Sequence, residues 1–214
     1  MIVGTGSTAM GRGVHGWGLI LVLSLLFLVF GMFWHPVPRD QDGGHRTLPL
    51  THAPEGGDFS LTRDGQAFHL ADHRGQVVLL YFGYTYCPDV CPTSMAMIRQ
   101  TLRELDAQQL QQVQGVFVSV DPERDTPEQL AEYARFFHPN ILGVTGSEEE
   151  LAAAGRLYGA GWRRADTDSA LGYAVDHSSN TYVIGKDGRL AETLPHGTGP
   201  QRILTTVLRL LDED

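Results

Sequence analysis

The stretch that most restricts this chain is "QVVLLYFGY", residues 76–84. It is a continuous apolar, β-rich run, and such a run reads as a strand buried on both faces. It leads directly into "TYCPDVCP", residues 85–92, which holds Cys87 and Cys91, the only two cysteines in 214 residues. A pair of thiols therefore stands where a central strand feeds the next element. Spaced C-x-x-x-C, with proline after each, they suit a structural disulfide, a redox couple or half of a metal site.

The remaining elements define the fold class. "DFSLTRDGQAFHL" (58–70) alternates and turns at Asp64-Gly65, a hairpin signal. Pro92 suits the first turn of a helix predicted to run to about Gln112. "VQGVFVSVD" (113–121) is a second buried strand. Thr126-Pro127-Glu128-Gln129 and Ser147-Glu148-Glu149-Glu150 are capping boxes, opening helices to about His138 and Tyr158. "NILGVTG" between them is a short strand. "NTYVIGKDGRLAETL" (180–194) is a hairpin around Asp187-Gly188, and "GPQRILTTVLRLL" (199–211) has apolar residues at helical spacing. This order predicts an α/β, thioredoxin-like mixed sheet flanked by helices, with an N-terminal hairpin extension and an insertion near 159–176.

Ahead of this domain, residues 17–34, "WGLILVLSLLFLVFGMFW", carry no charge. As a helix they would rise roughly 27 Å, close to a hydrocarbon core of about 30 Å. Trp17 and Trp34 stand at the two ends, where indoles favour the headgroup region. The run is predicted as a single transmembrane anchor behind a short segment, 1–16. It is long for a signal peptide, and no small-x-small cleavage site follows. Residues 35–54, rich in Pro, Gly and His, read as a linker, which leaves 55–214 as the folded domain. Arg12 lies before the apolar run and Arg39 and Arg46 after it, so charge alone sets no topology. The chain carries 25 acidic against 16 basic side chains, a formal net charge of −9. Such a surface repels phosphate and excludes nucleic acid as a partner.

Two cysteines one helical turn apart share a face. Their Cα atoms would stand about 6 Å apart, within disulfide range. A bridge there closes a very small loop and gains little entropy, so a purely structural disulfide is a poor use of the pair. A redox couple is better supported, because Cys91 would sit at a helix N-terminus that stabilises thiolate. Yet catalysts of this fold usually carry C-x-x-C and a cis-proline before the next strand. The matching loop here, "YAVDHSSNTYV" (173–183), has no proline. Near that place stands His177. Two thiolates and an imidazole form an S₂N set suited to copper or zinc. Structural zinc normally takes four protein ligands, and no fourth is evident. Three ligands leave an open position, which suits an ion that is handed on.

Three motifs, "YFGYTYCPDVCP", "VDPERDTP" and "VDHSSNTYVIGKDG", resemble in identity and order those of the Sco/SenC family of membrane-anchored copper proteins. The resemblance spans about residues 55–212. It implies a thioredoxin-like fold with copper, as Cu(I) or Cu(II), held by Cys87, Cys91 and His177. It implies a metallochaperone that assists assembly of the dinuclear copper site of cytochrome c oxidase subunit II. The implied partners are that subunit, other copper chaperones or thiol reductants, and the membrane through the N-terminal helix. The rival function is a membrane-tethered thiol–disulfide oxidoreductase acting on the cysteines of that site, with Cys87 and Cys91 as its redox pair. The implied localisation is the bacterial inner membrane, single-pass, with the domain facing the periplasm; "MIVGTGSTAMGRGVHG" is not an Arg-rich presequence. One departure is Tyr86, where many members of the family carry histidine. It is not one of the three ligands.

Other residues have weaker claims. Met95 falls one turn after Cys91 and Met97 follows; both suit core packing better than ligation. His35, His45 and His52 read as linker residues. His69, His73, His138 and His196 have no companion at ligand spacing. Asp121 ends a buried strand, where α/β sheets place their sites; its turn reading has Asp125 bracing the next helix. Asp176 is a candidate to orient His177. A peroxidase would need an arginine and a threonine around a nucleophilic cysteine. Thr85 is near, but the sequence names no arginine.

Overall fold

The computed structural model describes residues 14–33, 47–166 and 172–213. The segment 1–13, Trp34 and most of the linker, with His35 and His45, lie outside the described residues. The chain falls into two compact units, Met1–Gln41 and Asp42–Asp214.

The first unit holds one helix, α1 (Val14–Phe33). Among the described residues no helix is long and apolar enough to cross a membrane. The single transmembrane anchor expected over 17–34 is corrected accordingly. So is the single-pass, inner-membrane localisation with a periplasmic domain, which rested on that anchor.

The second unit is a thioredoxin-like α/β domain. It opens with the expected hairpin, β1 (Ser60–Arg63) and β2 (Gln66–His69), paired antiparallel. Asp64 (φ 48°) and Gly65 (φ 75°) form its two-residue turn; positive φ at both positions matches the twist of the flanking strands. Next come β3 (Val77–Gly83), α2 (Val90–Glu104), α3 (Ala107–Gln111), β4 (Val113–Ser119), α4 (Pro127–Phe137), β5 (Ile141–Val144) and α5 (Glu148–Tyr158). Then follow β6 (Trp162–Asp166), β7 (Tyr173–His177), β8 (Thr181–Ile184), β9 (Leu190–Leu194) and α6 (Pro200–Asp212). The main sheet has the order β5-β4-β3-β8-β9. Its β3, β4 and β5 are parallel, and β8 joins β3 antiparallel.

Every residue of β3 is buried, as the unbroken apolar run demands. Leu79, Leu80 and Phe82 lose all their exposure, each contributing roughly 1.5–3 kcal/mol of transfer energy. The capping boxes at Thr126 and Ser147 form as expected, each with the side chain of the third residue reaching back.

Two elements differ from the reading above. The helix after the cysteines ends at Glu104, not near Gln112. Asp106 accepts from the Gln108 and Gln109 amides, and Gln109 Oε1 accepts from the Asp106 amide. This capping box restarts the chain as α3, because an N-cap side chain satisfies donors that a continuous helix would have used itself. The insertion near 159–176 contains β6 and β7, an antiparallel ribbon that pairs Trp162 with His177 and Asp166 with Tyr173. Among the described residues the ribbon is a separate two-stranded sheet, outside the ladder of the main one.

Candidate metal centre

The centre forms where the C-terminal end of β3 meets the end of β7. Gly83 closes β3, and Tyr84 to Asp89 carry the chain into α2. Cys87 and Cys91 are both buried thiols. Cys91 is the second residue of α2, and its amide donates to Cys87 Sγ at 3.4 Å. The Asp89 side chain does not cap this helix, so the sulfur of Cys87 satisfies one of its first, otherwise unpaired N–H groups. The spacing of four residues is what lets one sulfur reach the amide of the other.

The third member comes from the ribbon. Cys91 Sγ lies 3.2 Å from His177 Nε2, and donor atoms of Cys87, Cys91 and His177 all fall within 4.8 Å of one another. The His177 Nδ1 faces the Ser178 carbonyl at 3.0 Å. A carbonyl only accepts, so Nδ1 carries the proton and Nε2 presents its lone pair to the sulfurs. The ring is held edge-on by Tyr81 and Tyr84, at centroid distances of 6.1 and 5.9 Å. Its backbone is fixed by the segment before β1. Thr47 bridges His177, and the Leu48 amide donates to the His177 carbonyl at 2.9 Å.

Space at the centre is set by a glycine. A Cβ on Gly83 would stand 2.8 Å from Cys91 Sγ and 3.0 Å from the rings of Phe117 and Tyr81. The sulfur occupies the room that any other residue would fill. Exposure is 5% at Cys87 and 0% at both Cys91 and His177. Burial pushes the Cys91 thiol well up, and the sulfur of Cys87 beside it acts in the same direction. The reading that placed a helix-stabilised thiolate at Cys91 is therefore corrected. Desolvation outweighs the helix end for this thiol, and the donated amide goes to Cys87.

The donor set passes the test of fit for a soft ion. Bonds of about 2.0–2.3 Å around one ion leave neighbouring donors about 3.2–3.8 Å apart, and the sulfur–imidazole separation already lies in that range. Two sulfurs and one imidazole suit copper or zinc. No Asp or Glu joins this group among the described residues.

The other candidates lie elsewhere. Asp176 Oδ2 accepts from Arg163 Nε and Nη2 at 3.1 and 3.0 Å across the ribbon. Asp125 does not brace the next helix. It accepts from the Thr85 amide at 2.9 Å, Thr85 Oγ1 at 2.6 Å and Ser119 Oγ at 2.5 Å, fixing the start of the cysteine loop. Burial raises its carboxyl in spite of these donors. Asp121 accepts from Arg124 Nε and Tyr173 Oη. Met95 is buried in the core and Met97 packs against it. His52, His69, His73, His138 and His196 bond to nearby backbone or polar side chains. The residues missed by the sequence are Tyr84, Arg124 and Tyr173. Arg124 stands inside the second motif, "VDPERDTP", and that membership was the available signal.

The chain matches the family described as SCO1/SenC over residues 49–212. It is 38% identical over 196 residues to "Protein SCO2 homolog, mitochondrial" of Bos taurus, covering 89% of this chain and 74% of that protein. The Mus musculus protein of the same description is 41% identical over 196 residues, covering 89% and 77%. Among solved structures, Arabidopsis thaliana ScoI with copper bound is similar at a TM-score of 0.67 and 31% identity, over 74% of this chain and 99% of that one. Bradyrhizobium japonicum ScoI with copper bound gives 0.66 and 34%, over 73% and 99%.

Proposed function

The chain belongs to the SCO1/SenC family, and from that premise we propose that Cys87, Cys91 and His177 bind copper for delivery to the dinuclear copper site of cytochrome c oxidase subunit II. The observation that carries this reading is the convergence of two sulfurs and one imidazole nitrogen, from two separate elements, within 4.8 Å. A redox pair alone has no use for the third donor. Copper is the cargo here, and the three-donor set leaves room for a ligand of the receiving protein to enter as the ion leaves.

The chain's own residues prepare that exchange. The Ser178 carbonyl fixes the proton on His177 Nδ1 and so keeps Nε2 ready. Cys91 holds its proton until the ion displaces it, because only the thiolate ligates. The α2 amide directed at Cys87 Sγ holds that sulfur in place. Oxidation of the pair to a disulfide would expel the ion, so loading depends on a thiol reductant.

The second reading, a thiol–disulfide oxidoreductase acting on the cysteines of the same oxidase site, is favoured by one observation. The two thiols lie one turn apart at a helix start. The two readings part at His177. In anaerobic titration the reduced protein should take up one Cu(I), with two sulfur neighbours and one nitrogen neighbour by X-ray absorption. His177→Ala should remove the nitrogen and weaken binding on the order of a hundredfold, while any disulfide reductase activity persists. Unchanged copper affinity in that variant would defeat the delivery mechanism.

A further inference from the structure

We propose that Arg124 is a positioning residue, which holds the ribbon carrying His177 against the loop carrying the two cysteines. The proposal rests on the reading of His177 as a copper ligand.

The ribbon is outside the main sheet's ladder among the described residues; its His177 end runs into β8, which pairs with β3, whereas its Tyr173 end has no place in that ladder. Backbone bonds tie its His177 end to Leu48 and to Gly161, and neither partner belongs to the cysteine loop. The link between the two halves runs through side chains, with one guanidinium at its centre. Arg124 Nη1 donates to the Tyr173 carbonyl at 2.9 Å, at the start of β7. Its Nε donates to Asp121 Oδ2 at 2.6 Å, and Asp121 Oδ1 accepts from Tyr173 Oη at 2.7 Å. The same cation lies over three aromatic rings: Tyr173 at 3.6 Å, Tyr86 at 5.1 Å and Tyr84 at 5.6 Å. Tyr173 belongs to the ribbon. Tyr84 and Tyr86 belong to the loop and flank Thr85, just before Cys87.

Tyr84 then closes the chain of contacts. Its hydroxyl accepts from the Val175 amide at 3.3 Å, and its ring packs edge-on against His177. A shift of Arg124 thus moves the surface on which the imidazole rests. The Arg124 side chain retains only 16% of its exposure, and Asp121 retains 5%. A cation buried this far is retained when it is paired and makes directed bonds. Only a planar guanidinium can bond along its edge to a carboxylate and a carbonyl while its face covers a ring; an ammonium cannot do both.

The test is a cycle of variants on the full chain, read by anaerobic Cu(I) competition and X-ray absorption, with thermal unfolding alongside. Arg124→Lys and Arg124→Gln should each weaken Cu(I) binding about 10–100-fold, the range for residues that orient a ligand. The nitrogen neighbour should be lost or become disordered while both sulfurs remain. In the His177→Ala background the same substitutions should change affinity by less than about twofold, because the group through which they act is gone. If Arg124→Gln fails to fold, Arg124→Lys keeps the charge and carries the test. Equal losses in both backgrounds would show that Arg124 supports the fold or the sulfurs, and would overturn the proposal. Full affinity with an intact nitrogen neighbour in Arg124→Lys and Arg124→Gln would overturn it too. No effect of His177→Ala alone removes the ligand reading itself, and the positioning role with it.

Discussion

The cysteine loop and the histidine ribbon contribute to one centre, yet they are held in opposite ways. The loop grows out of β3, which is hydrogen-bonded on both sides, to β4 and β8, and buried along its whole length. The ribbon stands outside that ladder and is docked through Arg124, Asp121, Tyr173 and the residues before β1. One half of the donor set therefore shares the stability of the core. The other half depends on a few long-range contacts, and such segments open at lower free energy than the global unfolding. A site built this way can change the reach of its third donor without disturbing its two sulfurs.

Substitutions that strike one half and spare the other test this contrast. The largest effect is expected at Cys91. Cys91→Ser exchanges a soft donor for a hard one and should weaken Cu(I) binding on the order of a thousandfold or more. Thermal stability should barely move. Affinity within tenfold of the parent protein, measured by chelator competition, would mean that the loop is not the primary binding half.

Gly83→Val strikes the rigid half through packing. The added side chain meets Cys91 Sγ and two rings, and overpacking of this kind costs about 2–3 kcal/mol. Urea unfolding should show the loss in the global transition. A loss confined to the β6–β7 amides in hydrogen exchange would erase the distinction between the halves.

Asp125→Asn acts on the hinge of the loop. The carboxylate accepts from three donors, and an amide nitrogen would face one of them, a cost of about 1–2 kcal/mol near neutral pH. The pH dependence has a definite sign. Burial raises the native carboxyl above its unfolded value, so the folded state holds this proton more tightly. The associated stabilisation is complete below the unfolded value of about 4 and is lost as pH rises through the raised native value. Asn at this position should flatten that part of the stability profile; an unaltered profile would show that Asp125 does not contribute it.

The smallest effect is expected in the docked half. Tyr173→Phe removes the hydrogen bond to Asp121, about 0.5–1.5 kcal/mol. Amides of β6 and β7 should exchange faster while those of β3 and β4 keep their protection. Acceleration spread across the five-stranded sheet would show that the ribbon is not a separate unit.

The same contrast explains what the sequence revealed. Cys87 and Cys91 were legible because their signal is local: a strand run, a spacing of four residues and a proline in the helix start. His177 was legible from its place in the chain order, since the loop before β8 must return beside β3. The ribbon was not, because Arg163, Arg164 and Asp166 carry no alternating apolar pattern. Their partners are Asp176 and Tyr173 across the ribbon and Glu123 outside it, none of them marked by a local pattern. The partner of Asp176 across the ribbon, Arg163, was equally hidden, as was the Ser178 carbonyl that meets the imidazole. The early end of α2 was written in Asp106 and Gln109, a box that the apolar periodicity on either side concealed.

Cys87 keeps a sliver of its surface in water, while Cys91 and His177 keep none. In the proposed delivery role, an ion from solvent would meet the outermost sulfur before the inner pair, and a receiving protein would approach from that same front. Entry and exit would then share one doorway, with the speed of a handover set by what stands at the threshold and its equilibrium by what lies behind.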